Sequence, residues 1–302
     1  MIKNYLWISF ILFSSYAYSC DICGCAASSF SMGMLPNSRH HIIGFRSSSR
    51  FFESQQLHTS STRKSNEIFS TYELFGRYKL NKRFQFMAFI PYTVNSKIDS
   101  SEQIKIHGIG DLTLFANYVF IDNTDSLTKK VKHNGTIGLG LKSPTGMYQK
   151  LNFFETNMLP GTGSYDFLVS LNYSLQWRTF GFQNESSFTY KTENKYLYRF
   201  GNAFSTTNVL FYRWTISQNL KIVPQIGLNF NHNWKDHKNR EISEDTFNGG
   251  NILNSQFNIF FLIRNWAISS QLSIPIYQQL NKGFVTQKSA IRFSINYFIT
   301  KK

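Results

Sequence analysis

The chain alternates apolar and polar residues at period two in about a dozen segments, and the turn-rich stretches between them run alternately short and long. One of the clearest segments carries Phe167, Val169, Leu171, Tyr173, Leu175 and Trp177, interleaved with Asp166, Ser170, Asn172, Ser174, Gln176 and Arg178. Successive side chains of a strand point to opposite faces, so one face here suits lipid and the other suits water. A soluble barrel has an apolar inside; the inverse, an apolar outside around a polar inside, is the pattern of an outer-membrane barrel. The expected fold class is therefore all-β: a closed antiparallel transmembrane β-barrel of about 12 strands.

The remaining composition fits that class. With 302 residues the chain suffices for one large all-β domain. Beyond the N-terminus no run of 18 apolar residues occurs, so no transmembrane helix is expected. The mean hydropathy of −0.27 is what a barrel wall gives, because half of each strand faces water. Aromatic residues make up 17%, with 30 Phe and 16 Tyr, enough for two interfacial girdles. The competing class is an ordinary β-sandwich.

Residues 1–19 read as a cleaved signal peptide: Lys3 in a positive n-region, an apolar h-region from Leu6 to Phe13, and Ala17-Tyr18-Ser19 as the small-x-small site. Export to the outer membrane of a Gram-negative bacterium follows. Residues 20–40 form a short cysteine-containing leader and residues 41–302 the barrel, with no second domain. Strands are expected near 41–52, 67–80, 83–95, 109–121, 134–144, 164–178, 181–192, 201–216, 219–232, 252–264, 265–277 and 286–299. Tight turns at 80–82, 178–180, 217–219 and 264–265 should share the periplasmic rim with both chain ends. The connections 53–66, 96–108, 145–163, 193–200, 233–251 and 278–285 should be external loops. One connection on the tight-turn side, 122–133, breaks the pattern as a polar loop of about a dozen residues.

Phasing each strand by its apolar face places Arg46, Arg50, Glu73, Arg77, Lys79, Asp111, Lys142, Asp166, Glu185, Lys191, Arg213, Lys221 and Arg292 toward the lumen. An Arg or Lys on the lipid face at midplane would cost about 2–4 kcal/mol, so their common placement on the polar face supports the phasing. Two roles are open to this set. Opposite charges can brace a narrow lumen, or the positive excess can line a path for anions. Asp111, Lys142 and Asp166 fall on consecutive strands and should approach one another.

All three cysteines, Cys20, Cys23 and Cys25, lie within six residues. An oxidising periplasm favours a local disulfide, the odd count leaves one thiol free or acylated at Cys20, and soft thiolates at this spacing also suit Cu(I) or Zn(II), with His40 and His41 nearby. No other cofactor is expected. The histidines are scattered, and no G-x-S-x-G, H-E-x-x-H or phosphate loop occurs, so no enzyme activity is expected; a twelve-stranded lipid hydrolase would need a Ser and His pair that no spacing singles out. The net charge of +15 suits anionic lipid headgroups and lipopolysaccharide phosphates better than nucleic acid in an exported barrel. The last strand carries Ile291, Phe293, Ile295, Tyr297 and Phe298, an aromatic ending of the kind the outer-membrane assembly machinery reads, although Ile299-Thr300-Lys301-Lys302 follows it.

Several runs carry a family resemblance: Gly108-Ile109-Gly110-Asp111-Leu112 with Ala116 and Tyr118; Gly138 to Gly146, ending Lys142-Ser143-Pro144-Thr145-Gly146; Pro160-Gly161-Thr162-Gly163-Ser164-Tyr165-Asp166-Phe167; and Phe89-Ile90-Pro91-Tyr92. Over about 85–300 the chain resembles the outer-membrane "transporter" barrels first associated with the meta-cleavage pathway of phenol degradation. The resemblance implies a barrel with a transport role and leaves the substrate open. The expected function is thus a channel or transporter for small solutes. The alternative is a non-conducting surface barrel whose cysteine leader binds metal or forms a disulfide.

Overall fold

The computed structural model describes residues 40–58, 61–99, 102–124, 130–148, 157–239, 241–242 and 249–299. The signal segment and Cys20, Cys23 and Cys25 lie outside the described residues. The strands are β1 (His41–His58), β2 (Ser61–Lys79), β3 (Phe84–Ile98), β4 (Gln103–Ile109), β5 (Leu112–Asp122), β6 (Val131–Ser143), β7 (Asp166–Trp177), β8 (Phe180–Lys191), β9 (Tyr198–Arg199), β10 (Ala203–Tyr212), β11 (Trp214–Ser217), β12 (Leu220–Asn233), β13 (His237–Lys238), β14 (Glu241–Ile242), β15 (Gly250–Ile263), β16 (Trp266–Leu280) and β17 (Val285–Ile299).

β4 and β5 are two halves of one stave, interrupted at Gly110-Asp111, and both pair with β3. β10 and β11 are likewise two halves, interrupted at Arg213, and both pair with β12. Counted as staves, the strands make a closed antiparallel barrel of 12. It closes where β1 pairs with β17, from His41↔Ile299 to Ser54↔Val285. Closure leaves the barrel no edge strand, so backbone donors and acceptors around the wall are paired within it. Every expected strand coincides with one stave. The tight turns after β2, β7, β11 and β15 lie at one rim with residues 41 and 299, hereafter the short-turn rim.

The outward face through the middle of the barrel is apolar. Leu114, Val169, Leu171, Ile226 and Leu228 are all exposed on it, and Leu112, Tyr118, Tyr173 and Ile222 share their faces. Rings mark the short-turn end of this band: Phe180 against Tyr212 with centroids at 5.0 Å, and Trp266 against Tyr297 at 4.8 Å.

Toward the long-loop rim the pattern reverses. The expected connections 53–66 and 96–108 are mostly strand, because β1 and β2 run on to His58 and Ser61 and β4 pairs with β3. Here Ile104 and Ile106 pack inward while Lys105 and His107 are exposed. Glu53 on the outward side bridges Lys288 at 2.8 Å and Lys64 at 3.6 Å. Beyond the lipid-facing band a barrel wall meets water again, so the apolar side turns inward as in a soluble barrel.

The lumen is less polar than the alternation implies. Phe75, Phe89, Phe115 and Leu168 form one buried cluster with Ile42, Met87, Ala267 and Phe298, and Phe211, Val223 and Phe260 form another. Many of the Phe residues expected in girdles therefore fill the interior. Gly44, Gly140 and Gly181 stand in register opposite Phe75, Phe115 and Phe211, and a Cβ at any of them would fall within 2.7 Å of the facing ring. The glycines let those rings lie flat on the wall.

Candidate functional site: an acid–lysine network at the long-loop end

After Ser143, Pro144-Thr145-Gly146 turns the chain inward, setting Gly146 against Gly110 and Asp111. Gly146 permits a close approach: a Cβ there would lie 2.7 Å from the Gly110 backbone and 2.8 Å from Asp111 Oδ1. A Cβ on Gly161 would likewise lie 2.8 Å from Asp111 Oδ1. Among the described residues of the segment Gly163 is left-handed, at φ 69°.

Three of the sequence runs meet at this point. Asp111 Oδ1 accepts the Gly146 N–H at 3.0 Å, and its Oδ2 accepts the Thr162 N–H and hydroxyl, each at 2.8 Å. Lys142 Nζ stands 2.5 Å from Asp166 Oδ2 and 3.5 Å from Asp111 Oδ2, and donates to Thr162 Oγ1 at 2.8 Å. Ser164 donates to Asp166 Oδ1 at 2.9 Å, and Asn194 donates to the Thr162 carbonyl at 3.1 Å. Asp111 reaches inward because the stave is broken beside it; Lys142 and Asp166 are register partners on β6 and β7. Together they tie both ends of the 144–164 segment to the wall. Between these ties Met158 is buried against Phe52, Phe69, Ile252, Leu280 and Val285, which lie on β1, β2, β15, β16 and β17. Asn95 of β3 donates to the Met158 carbonyl at 2.8 Å. Met158 thus lies at the wall opposite β6.

Below it lies a charged belt. Arg46 pairs with its register partner Glu73 and lies over the Phe75 and Phe89 rings at 5.5 and 5.9 Å. Arg292 feels the charges of Arg46, Arg50, Glu73 and, from the far wall, Glu185. The belt holds three arginines and two glutamates, so it keeps a positive excess. Arg77 and Arg213 stand nearer the short-turn rim, Arg77 donating to the His40 carbonyl at 3.5 Å. Lys79 and Lys221 lie apart from both clusters on inward positions. Lys191, in register with Asp166, turns toward the Phe200 ring at 5.9 Å. The three-residue network and the belt use most of the expected inward residues. Sequence reasoning missed Met158, Thr162 and Ser164, since nothing local to the connection after Pro144 signals that it folds inward, and Asn95, since its strand alone does not name the partner of an inward amide.

A second buried acid organises the long loops. Asp236 accepts the Tyr198 hydroxyl and the Gly201 N–H, each at 2.5 Å, beside the small sheet of β9, β13 and β14. Burial, opposed by these donors and by Lys191, pushes its carboxyl above the ordinary range. A carboxyl raised in the folded state stabilises most below its unfolded value and loses that contribution as pH rises through the raised value. Exchange protection of the Gly201 amide, corrected for intrinsic rate, is expected to be greatest near pH 4 and to decline above it. Protection that rises with pH would contradict this.

No protein-family model matches the chain, and no curated protein matches it. Among solved structures, an outer membrane channel from Pseudomonas putida F1 is similar at 12% identity, over 87% of this chain and 97% of that one, with a TM-score of 0.66. The β domain of the Bordetella autotransporter BrkA is similar at 8% identity, over 86% of this chain and all (100%) of that one, with a TM-score of 0.50. Both likenesses are of fold: this chain has the fold of an outer-membrane-type β-barrel.

Proposed function

We propose that the protein is an outer-membrane channel for small solutes whose mouth is closed by the inward-lying residues 144–148 and 157–164. The observation that carries the reading is the charged belt at mid-lumen. Three arginines and two glutamates beneath a closing segment are costly in a dry interior and tolerable where water and solute reach them. The channel of similar fold from Pseudomonas putida supports the same reading. The positive excess, with Phe75 and Phe89 beside Arg46, favours small solutes that join an anionic group to an apolar body. That chemistry is compatible with the resemblance to barrels associated with phenol degradation. In this reading a signal peptide exports the chain, the short-turn rim is periplasmic, and lipopolysaccharide surrounds the long-loop rim.

Liposomes containing the refolded protein are expected to swell in isotonic small solutes and to stay intact in solutes the size of a trisaccharide. Liposomes silent in every solute would favour a braced, non-conducting barrel. Orientation has its own check. Protease added to intact cells should cut within 233–251 and spare the turns at 80–82, 178–180, 217–219 and 264–265. Cuts at those turns in sealed cells would reverse the orientation.

A further inference from the structure

Among the described residues the lipid-facing band carries one island built on outward carboxamides, whereas the outward Ser49–Ser70 pair, 2.9 Å apart, has hydroxyls alone. On β8 and β10 the outward positions Asn184, Ser186, Thr206 and Asn208 are register neighbours, Asn184↔Asn208 and Ser186↔Thr206. Asn184 Nδ2 donates to Asn208 Oδ1 at 2.9 Å and to Thr206 Oγ1 at 3.3 Å, and the Ser186 hydroxyl donates to Asn184 Oδ1 at 3.1 Å. Asn208 is exposed, and its Nδ2 has no acceptor among the described residues. The island is bordered by Tyr173, Leu171, Leu228 and Phe230, its register neighbours on β7 and β12.

Depth makes this costly. Asn184 and Asn208 lie four residues above the Phe180–Tyr212 pair. At about 3.3 Å per residue and a tilt near 40°, that is roughly 10 Å into a band about 25 Å tall. Asn66 and Asn251, the other outward asparagines on the described barrel strands, lie near the long-loop ends, where Asn251 has His232 at 2.6 Å. A carboxamide facing hydrocarbon with unmatched N–H groups is unfavourable, and a polar partner in the membrane removes the penalty.

We propose that this island is the contact of a two-fold dimer with a second copy of this chain. All copies insert with one orientation, so a two-fold axis between them must run along the membrane normal. Each residue near that axis then meets its own equivalent at the same depth. A carboxamide is self-complementary, donor to acceptor in both directions, so Asn208 finds in a second copy the acceptor it lacks. The small Ser186 and Thr206 beside it allow the two walls to come close.

The test uses the full chain with Cys20, Cys23 and Cys25 changed to Ser and one reporter cysteine, refolded into phosphatidylcholine vesicles and oxidised with copper phenanthroline. Leu210→Cys reports on the island, and Leu74→Cys reports from β2, six staves away; both leucines are exposed. Folding of each variant is checked by heat-modifiable gel mobility. Leu210→Cys is expected to cross-link to a homodimer at least tenfold faster than Leu74→Cys. Adding Asn184→Leu and Asn208→Leu should slow it at least fivefold while leaving the folded fraction unchanged or higher. Equal rates at the two reporters, or a rate indifferent to the double Asn→Leu change, would overturn the proposal. Repeated in native outer membranes, capture of a different protein in place of the homodimer would overturn it too.

Discussion

Replacing Asp111 by alanine is expected to open the barrel. The variant loses three hydrogen bonds to the closing segment and a neighbour of Lys142. Bonds to a charged acceptor contribute about 1.5–3 kcal/mol each. Allowing for partial replacement by water, a loss of about 4 kcal/mol in the closed state raises the open fraction by roughly two to three orders of magnitude. Single-channel records of Asp111→Ala should show long openings where the native protein shows brief ones, and Met158 should become accessible to oxidation. Asp111→Asn retains the acceptor oxygen for one donor and is expected to fall between the two. Unchanged open times in Asp111→Ala would mean that the segment is held by its apolar contacts alone.

The second large effect concerns Lys142. Its ammonium stands between the buried carboxylates of Asp111 and Asp166. Lys142→Met leaves both acids without it, at a cost on the order of 3–5 kcal/mol. Combining it with Asp166→Asn removes one of the stranded charges, so the double variant should be more stable than Lys142→Met alone. Urea unfolding in lipid vesicles measures the coupling, expected at 1 kcal/mol or more (about 1–3) in the double-mutant cycle. Additive effects would show that the pair is not coupled. The account would then leave the cation free to meet a passing anion.

The wall was legible in the sequence wherever lipid lies on one side and the lumen on the other. Segments such as 166–177 obey that contrast, and their bounds follow from it. The contrast vanishes above the lipid band, where water stands outside. Ile104 and Ile106 then point inward, and a real strand at 103–109 read as a loop. It weakens inside as well, because a narrow lumen can be packed rather than wetted. Phe75, Phe115 and Phe211 fill space opposite glycines, and an alternation reading assigns such rings to girdles. The meeting of Asp111, Lys142 and Asp166 follows from strand order and phase alone. Their tie to Thr162 and Gly146 does not, because it depends on a loop turning inward, which no local propensity encodes.

The most direct test of a channel closed by its own segment is a reversible tether. Met158 and Phe52 pack in one buried cluster. With Cys20, Cys23 and Cys25 changed to Ser, Met158→Cys and Phe52→Cys would be oxidised and recorded in a planar bilayer before and after reductant. The account predicts silence while the disulfide holds and brief conductance steps once it is reduced. Equal conductance in both states would show that the segment does not close the lumen.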